Sequence, residues 1–149
     1  MPNTAVAVGE GVTMYCCSDN VTEAQREGFV SLLHCSGLLE ELDEKLMDVG
    51  SAVAGCGGAF ACLFLEGLAD GAVYAGLPRA KAQRYAAQML LGMAKLALAS
   101  DEHTGALKDA VCSPGGTTIA GVRALEERGF RAAAMNAVIA AYERTKELG

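Results

Sequence analysis

Tryptophan is absent from this 149-residue chain, and aromatic residues make up only 5% of it. With so few large rings, the apolar 52% is carried by Ala, Leu, Val and Gly, the composition of close-packed helices. Basic residues are the minority, 12 Lys and Arg against 18 Asp and Glu, for a net charge of −6 and a pI near 4.9. That balance repels phosphate and excludes a general nucleic-acid binder. The start, Met1-Pro2-Asn3-Thr4, lacks the basic residues and the apolar stretch of a signal peptide. The longest uncharged run, Val49 to Leu65, is a little short of the roughly 20 residues a membrane span needs, and it is interrupted by Gly50, Gly55, Gly57 and Gly58. It reads as a buried core segment, so no membrane partner is expected. No Cys-x-x-Cys occurs among the six cysteines, and neither His34 nor His103 completes a metal-ligand spacing. Buried thiols in a reducing cytoplasm, with no metal, are the expectation.

What is present is a high apolar content for a chain of one domain or one and a half. Disorder is excluded as the main state. A mean hydropathy of +0.25 implies that some apolar surface is buried between subunits.

The front of the chain reads as strand, helix, strand. Residues 1–17 look extended, with Val12 to Cys16 as a strand. Ser18-Asp19-Asn20 is a turn, and Thr22 with Gln25 forms a capping box. The helix runs to about Cys35 and stops at Gly37; Leu38 to Leu42 is a short strand. After Asp43 everything reads as helix. Asp43 caps a helix through about Val53, and Gly55-Cys56-Gly57-Gly58 breaks the pattern. A helix follows from Ala59 to Ala75, and another from Pro78, placed at its first position, to about Ala99. The latter is apolar nearly all round from Ala86, with Lys95 its single charge, and is expected to be buried against another chain. Thr104 caps a short helix through Cys112. The final helices run from about Thr118 to Arg128 and from Phe130 to Leu148. Met47, Met89, Met93 and Met135 sit at helical spacings and read as core.

The segment best suited to chemistry is Ser113-Pro114-Gly115-Gly116-Thr117-Thr118. Two glycines let a ligand approach the main chain. The segment runs into a helix N-terminus, where amides lack partners and the dipole end is positive. That suits a carboxylate or phosphate. The competing reading is a plain cap, with Thr117 or Thr118 capping and the glycines turning the chain; the residues alone leave both open. Gly55-x-Gly57-Gly58 is not a dinucleotide loop, because no strand precedes it. Asp101-Glu102-His103 reads as a turn close in sequence to the Ser113 loop.

Several strings point to one family. Met1-Pro2-Asn3-Thr4 with Val8-Gly9-Glu10-Gly11, Glu66-Gly67-Leu68-Ala69-Asp70-Gly71, Gly76-Leu77-Pro78-Arg79, Leu107-Lys108-Asp109, Ser113 through Gly121, and Gly129-Phe130-Arg131 resemble pyrroline-5-carboxylate reductase over nearly the whole chain. The resemblance implies a mainly α fold. A short strand–helix–strand remnant of a Rossmann domain (residues 1–42) would precede an all-helical dimerisation and substrate domain (43–149), like the C-terminal domain of 6-phosphogluconate dehydrogenase. It implies hydride transfer from NADPH or NADH to 1-pyrroline-5-carboxylate, giving L-proline, in the cytoplasm. It implies a homodimer, open to higher assembly, with the site at the dimer interface. It places the substrate carboxylate on Ser113, Gly115, Gly116, Thr117 and Thr118, assigns Thr118 the catalytic contact with the ring nitrogen, and puts Pro2 and Asn3 against the cofactor.

The chain departs from the family pattern in three ways. The family's dinucleotide-binding glycine loop lies upstream of the Met-Pro-Asn string, which here opens the chain, so these residues are expected to be inactive alone. Ala54 to Phe60 replaces a string richer in hydroxyls, and Ala5 replaces a proline. Two alternatives are a non-catalytic homodimerisation module and a small-carboxylate-binding protein.

Overall fold

The computed structural model describes residues 1–148. They form two compact units, Met1–Phe60 with the segment from Met135 onward, and Ala61–Ala134.

In the first unit, strand β1 (Gly11–Tyr15), helix α1 (Glu23–Leu33) and strand β2 (Gly37–Glu41) build a parallel pair in register from Gly11 opposite Gly37 to Tyr15 opposite Glu41. Parallel neighbours need a crossover, and α1 supplies it. The capping box at its start is complete: Thr22 Oγ1 accepts from the Gln25 amide, and Gln25 Oε1 accepts from the Thr22 amide. Arg26 on α1 donates to Glu23 and to Glu41 on β2, each at 2.6 Å, which ties helix to strand. Tyr15 and Phe29 meet edge to face, ring centroids 5.0 Å apart.

Residues 4–8 are not extended as the sequence implied. They form a 3-10 helix with Asn3 as its N-cap. Asp43 is a cap, as expected, accepting from the Lys45 amide. It starts a short 3-10 turn that leads into α2 (Met47–Ala54), whose Ala52 is fully buried.

Helix α3 (Gly57–Tyr74) begins two residues earlier than its composition implied. Gly57 and Gly58 lie inside it, and only Gly55-Cys56 interrupts the chain. A turn through Gly76 and Leu77 leads to α4 (Arg79–Ala99); Pro78 is its N-cap rather than its first residue. Within the second unit, Ala69 of α3 and Ala82 and Ala86 of α4 are buried. Asp70 and Arg79 form an ion pair between the two helices. Phe64 on α3 stacks on Phe130, ring centroids 5.3 Å apart. Helices α5 (Thr104–Ala110), α6 (Thr117–Glu127) and α7 (Phe130–Leu148) complete the chain.

Little of the apolar content is buried in the single chain. The buried apolar residues are Met14 and four alanines, and no large side chain is fully buried among the described residues. Leu63 is 69% exposed and Leu98 85%. Met89 and Met135 are exposed rather than core. The cysteines differ from expectation in the same way: Cys16, Cys17, Cys35 and Cys62 are exposed, and Cys56 and Cys112 half-buried. The stretch Glu44–Tyr74 is long and apolar enough to cross a membrane by length and composition, although the Gly55-Cys56 turn breaks it.

Candidate functional site

The geometry around Ser113 is set by four residues. Pro114 fixes φ at the second position of a turn, and Gly115 takes φ 67° at the third. The Gly116 amide donates back to the Ser113 carbonyl at 3.0 Å. Proline followed by a left-handed glycine is the signature of a type II turn. Gly116 then has extended backbone, φ −76° and ψ 172°, and is the N-cap of α6. Its missing side chain matters for a different reason. A Cβ there would lie 2.3 Å from Ser113 Oγ.

No side chain caps α6. The expectation that Thr117 or Thr118 serves as the cap is therefore corrected: both lie inside the first turn. The first amide bonded back along the helix is Ala120, to Gly116 at 3.4 Å. The amides of Thr117, Thr118 and Ile119 precede it and have no intrahelical carbonyl to meet. They sit at the positive end of an 11-residue helix. Ser113, Thr117 and Thr118 are exposed, and Gly116 is half-buried. The arrangement can bind an anionic oxygen group through main-chain N–H groups and nearby hydroxyls.

An open groove of about 570 Å³ runs beside the turn, lined by Gly115, Gly116, Ile119, Ala120, Val122, Arg123 and Glu126. Gly116, Ile119, Ala120 and Arg123 share one face at helical spacing. The sequence pattern puts Glu126 on a solvated face and does not single out Arg123. The i, i+3, i+4, i+7 pattern from Gly116 was the available signal. Thr118 is exposed and is not among the residues that line this groove.

Ahead of the turn, α5 is capped by His103, whose Nδ1 accepts from the Gly105 amide at 3.0 Å. The expected cap, Thr104, is instead the first helical residue. Lys108 on α5 pairs with Asp109, and that hydrogen bond holds its ammonium above the ordinary lysine range.

Pro2 and Asn3 lie in the first unit. Pro2 bridges Thr13 in antiparallel fashion. Asn3 Oδ1 accepts from the amides of Ala5 and Val12 at 3.2 Å each, while Nδ2 donates to the Ala54 carbonyl at 3.0 Å. Asn3 thus joins the 3-10 turn and β1 to the end of α2.

Desolvation first, and then the Glu41 carboxylate, push the Cys17 thiol above its ordinary value, the direction of lower reactivity. The His34 ring donates from Nδ1 to the Ser31 carbonyl at 2.7 Å.

Comparison with known proteins gives a consistent result. Residues 44–148 match the family model described as pyrroline-5-carboxylate reductase dimerisation. A pyrroline-5-carboxylate reductase from Synechocystis is 48% identical over 149 residues, all of this chain and 56% of that protein. One from Escherichia coli is 43% identical over 148 residues, 99% of this chain and 55% of that protein. Among solved structures, Plasmodium falciparum pyrroline carboxylate reductase with NADP bound is 38% identical with a TM-score of 0.91, covering 100% of this chain and 61% of that one. The pyrroline-5-carboxylate reductase of Coxiella burnetii is 32% identical with a TM-score of 0.93, covering 100% and 56%. The chain therefore spans little more than half the length of the relatives it matches. A mainly helical chain with one short parallel strand pair, matched by sequence and by structure along its whole length, belongs to the pyrroline-5-carboxylate reductase family.

Proposed function

We propose that this chain carries the substrate-binding and dimerisation part of an enzyme that reduces 1-pyrroline-5-carboxylate to L-proline. The observation that carries the reading is the uncapped start of α6 behind the Ser113–Gly116 turn. The substrate is an imine that bears a carboxylate. Its acid group fits the amides of Thr117, Thr118 and Ile119 and the Ser113 and Thr117 hydroxyls. No cation is needed there, because the helix end supplies the positive field.

Thr118 is assigned to the ring nitrogen. A protonated imine accepts hydride far more readily than a neutral one, and a hydroxyl at nitrogen orients the ring and aids proton delivery. Because Thr118 does not line the groove beside Gly116, its hydroxyl is assigned to a surface that a second chain completes. The exposed Leu63, Leu91 and Leu98 support a homodimer, as does the family's dimerisation model. We assign the apolar stretch Glu44–Tyr74 to the same subunit burial rather than to a bilayer, and place the protein in the cytoplasm. The division at residues 42 and 43 is the boundary we propose between the strand-bearing part and the helical domain; the family match begins at residue 44.

The reduced nicotinamide cofactor, NADPH or NADH, supplies the hydride. Of the residues assigned to it, Asn3 has its oxygen committed to two backbone amides and one amide hydrogen to Ala54, which leaves one hydrogen to offer. Pro2 is exposed beside it. That supply fits a contact at the cofactor's edge. No glycine loop follows either strand among the described residues, so the chain is not expected to turn over alone.

The test is proline formation from 1-pyrroline-5-carboxylate. A full-length relative carrying Ala at the position of Thr118 should lose about 100-fold in turnover, whereas an unchanged rate would remove the assigned role. Robust turnover by the 149 residues alone would contradict the division of labour stated here.

A further inference from the structure

We propose that His103 is a positioning residue for the Ser113–Gly116 turn, and that protonation of its ring releases that turn. The proposal rests on the reading of this turn as the substrate site and adds a pH-dependent control to it. Neutral imidazole can accept a hydrogen bond at one ring nitrogen, whereas imidazolium only donates. His103 uses Nδ1 as acceptor, for the Gly105 amide at 3.0 Å. Protonation at Nδ1 turns that contact into donor against donor. The cap is present while Nδ1 is unprotonated and is lost when it is protonated.

The consequence reaches the site because α5 is short. It has 7 residues, fewer than an isolated helix needs, so one cap is a large share of its local stability. Its last bonds lead straight into the turn. The Cys112 amide donates to Asp109 at 2.9 Å, and four residues later the Gly116 amide donates to Ser113 at 3.0 Å. Unwinding α5 from its start therefore removes the support on which Ser113 stands.

The charged neighbours of the ring are largely paired with one another. His103 lines a groove of about 370 Å³ with Lys108 of α5, Glu126 of α6 and Arg131 of α7. Lys108 is paired with Asp109, and Arg131 with Glu126 at 2.5 Å. Both cations near the ring are thus offset by carboxylates. Asp101 and Glu102 precede it on the chain.

The experiment is residue-resolved amide hydrogen exchange on the full chain at pH 8 and pH 5.5, corrected for intrinsic rates. Three proteins are compared: wild type, His103→Asn and His103→Ala. In the wild type, protection at Gly105, Ala106, Cys112 and Gly116 should fall about fivefold on acidification, the worth of a typical cap. Asparagine caps at every pH, so His103→Asn should stay protected under both conditions. His103→Ala should be unprotected under both. Wild-type protection that does not change with pH, or an Asn variant that loses protection in acid as the wild type does, would overturn the proposal. Titration with L-proline at pH 8 separates the two readings. If none of the three proteins binds it, the assignment of the substrate site fails, and the exchange pattern still decides the role of His103.

Discussion

Gly116→Ala perturbs the site while leaving the backbone conformation permitted. At φ −76° and ψ 172° any residue is tolerated. The effect is therefore steric. The new Cβ would stand 2.3 Å from Ser113 Oγ and 3.1 Å from the Ser113 carbonyl oxygen. The hydroxyl can rotate away at small cost, and the carbonyl has to move by a few tenths of an ångström. Overpacking of that kind costs about 1 kcal/mol. For a chain of this size that lowers Tm by about 2–4 °C. Affinity should suffer more. A hydroxyl turned off the ligand forfeits a hydrogen bond to a charged group, about 1.5–3 kcal/mol. That corresponds to proline binding weakened by about 10- to 150-fold. Gly115→Ala is the matched control. Its Cβ would meet open space, but φ 67° costs a side chain about 1–2 kcal/mol. It should melt lower than Gly116→Ala and bind proline better. Calorimetric titration and thermal melting of both variants give the comparison. Wild-type proline affinity in Gly116→Ala, at the predicted loss of Tm, would refute the geometry of the site.

Two further perturbations probe the subunit interface and the first unit. Leu98→Glu, or Leu91→Glu, should yield monomer at micromolar concentration in sedimentation, because an unpaired charge buried between subunits costs about 3–5 kcal/mol; a stable dimer would move the interface elsewhere. Asn3→Ala should lower Tm by about 4–8 °C, since it orphans the Val12 and Ala5 amides and the Ala54 carbonyl at about 2 kcal/mol in all. An unchanged melting curve would mean that water replaces the side chain.

The sequence shows the helices and both strands because their signals are local. The Thr22/Gln25 box, Asp43, Pro78 and Gly129 each mark an element end within a residue or two. It misplaces the caps of α5 and α6. Threonine and glycine are comparable caps by propensity, and the Pro114–Gly115 turn delivers Gly116 to the cap position and leaves Thr117 inside the helix. Likewise His103, one residue before Thr104, takes the cap through its ring nitrogen. The 3-10 turn at residues 4–8 was hidden because Ala-Val-Ala-Val reads like a strand, whereas the Asn3 side chain, bonded to Ala5 and Val12, and the left-handed Gly9 cap its two ends. The extent of apolar exposure was legible as high hydropathy. Which leucines face outward needed coordinates.

Everything assigned to the site depends on the unpartnered amides ahead of Ala120 holding a carboxylate. Amide chemical shifts during titration with L-proline test this most directly. The largest changes are expected from Gly115 through Ile119, saturating at millimolar ligand. Changes centred elsewhere, or none at that concentration, would contradict it.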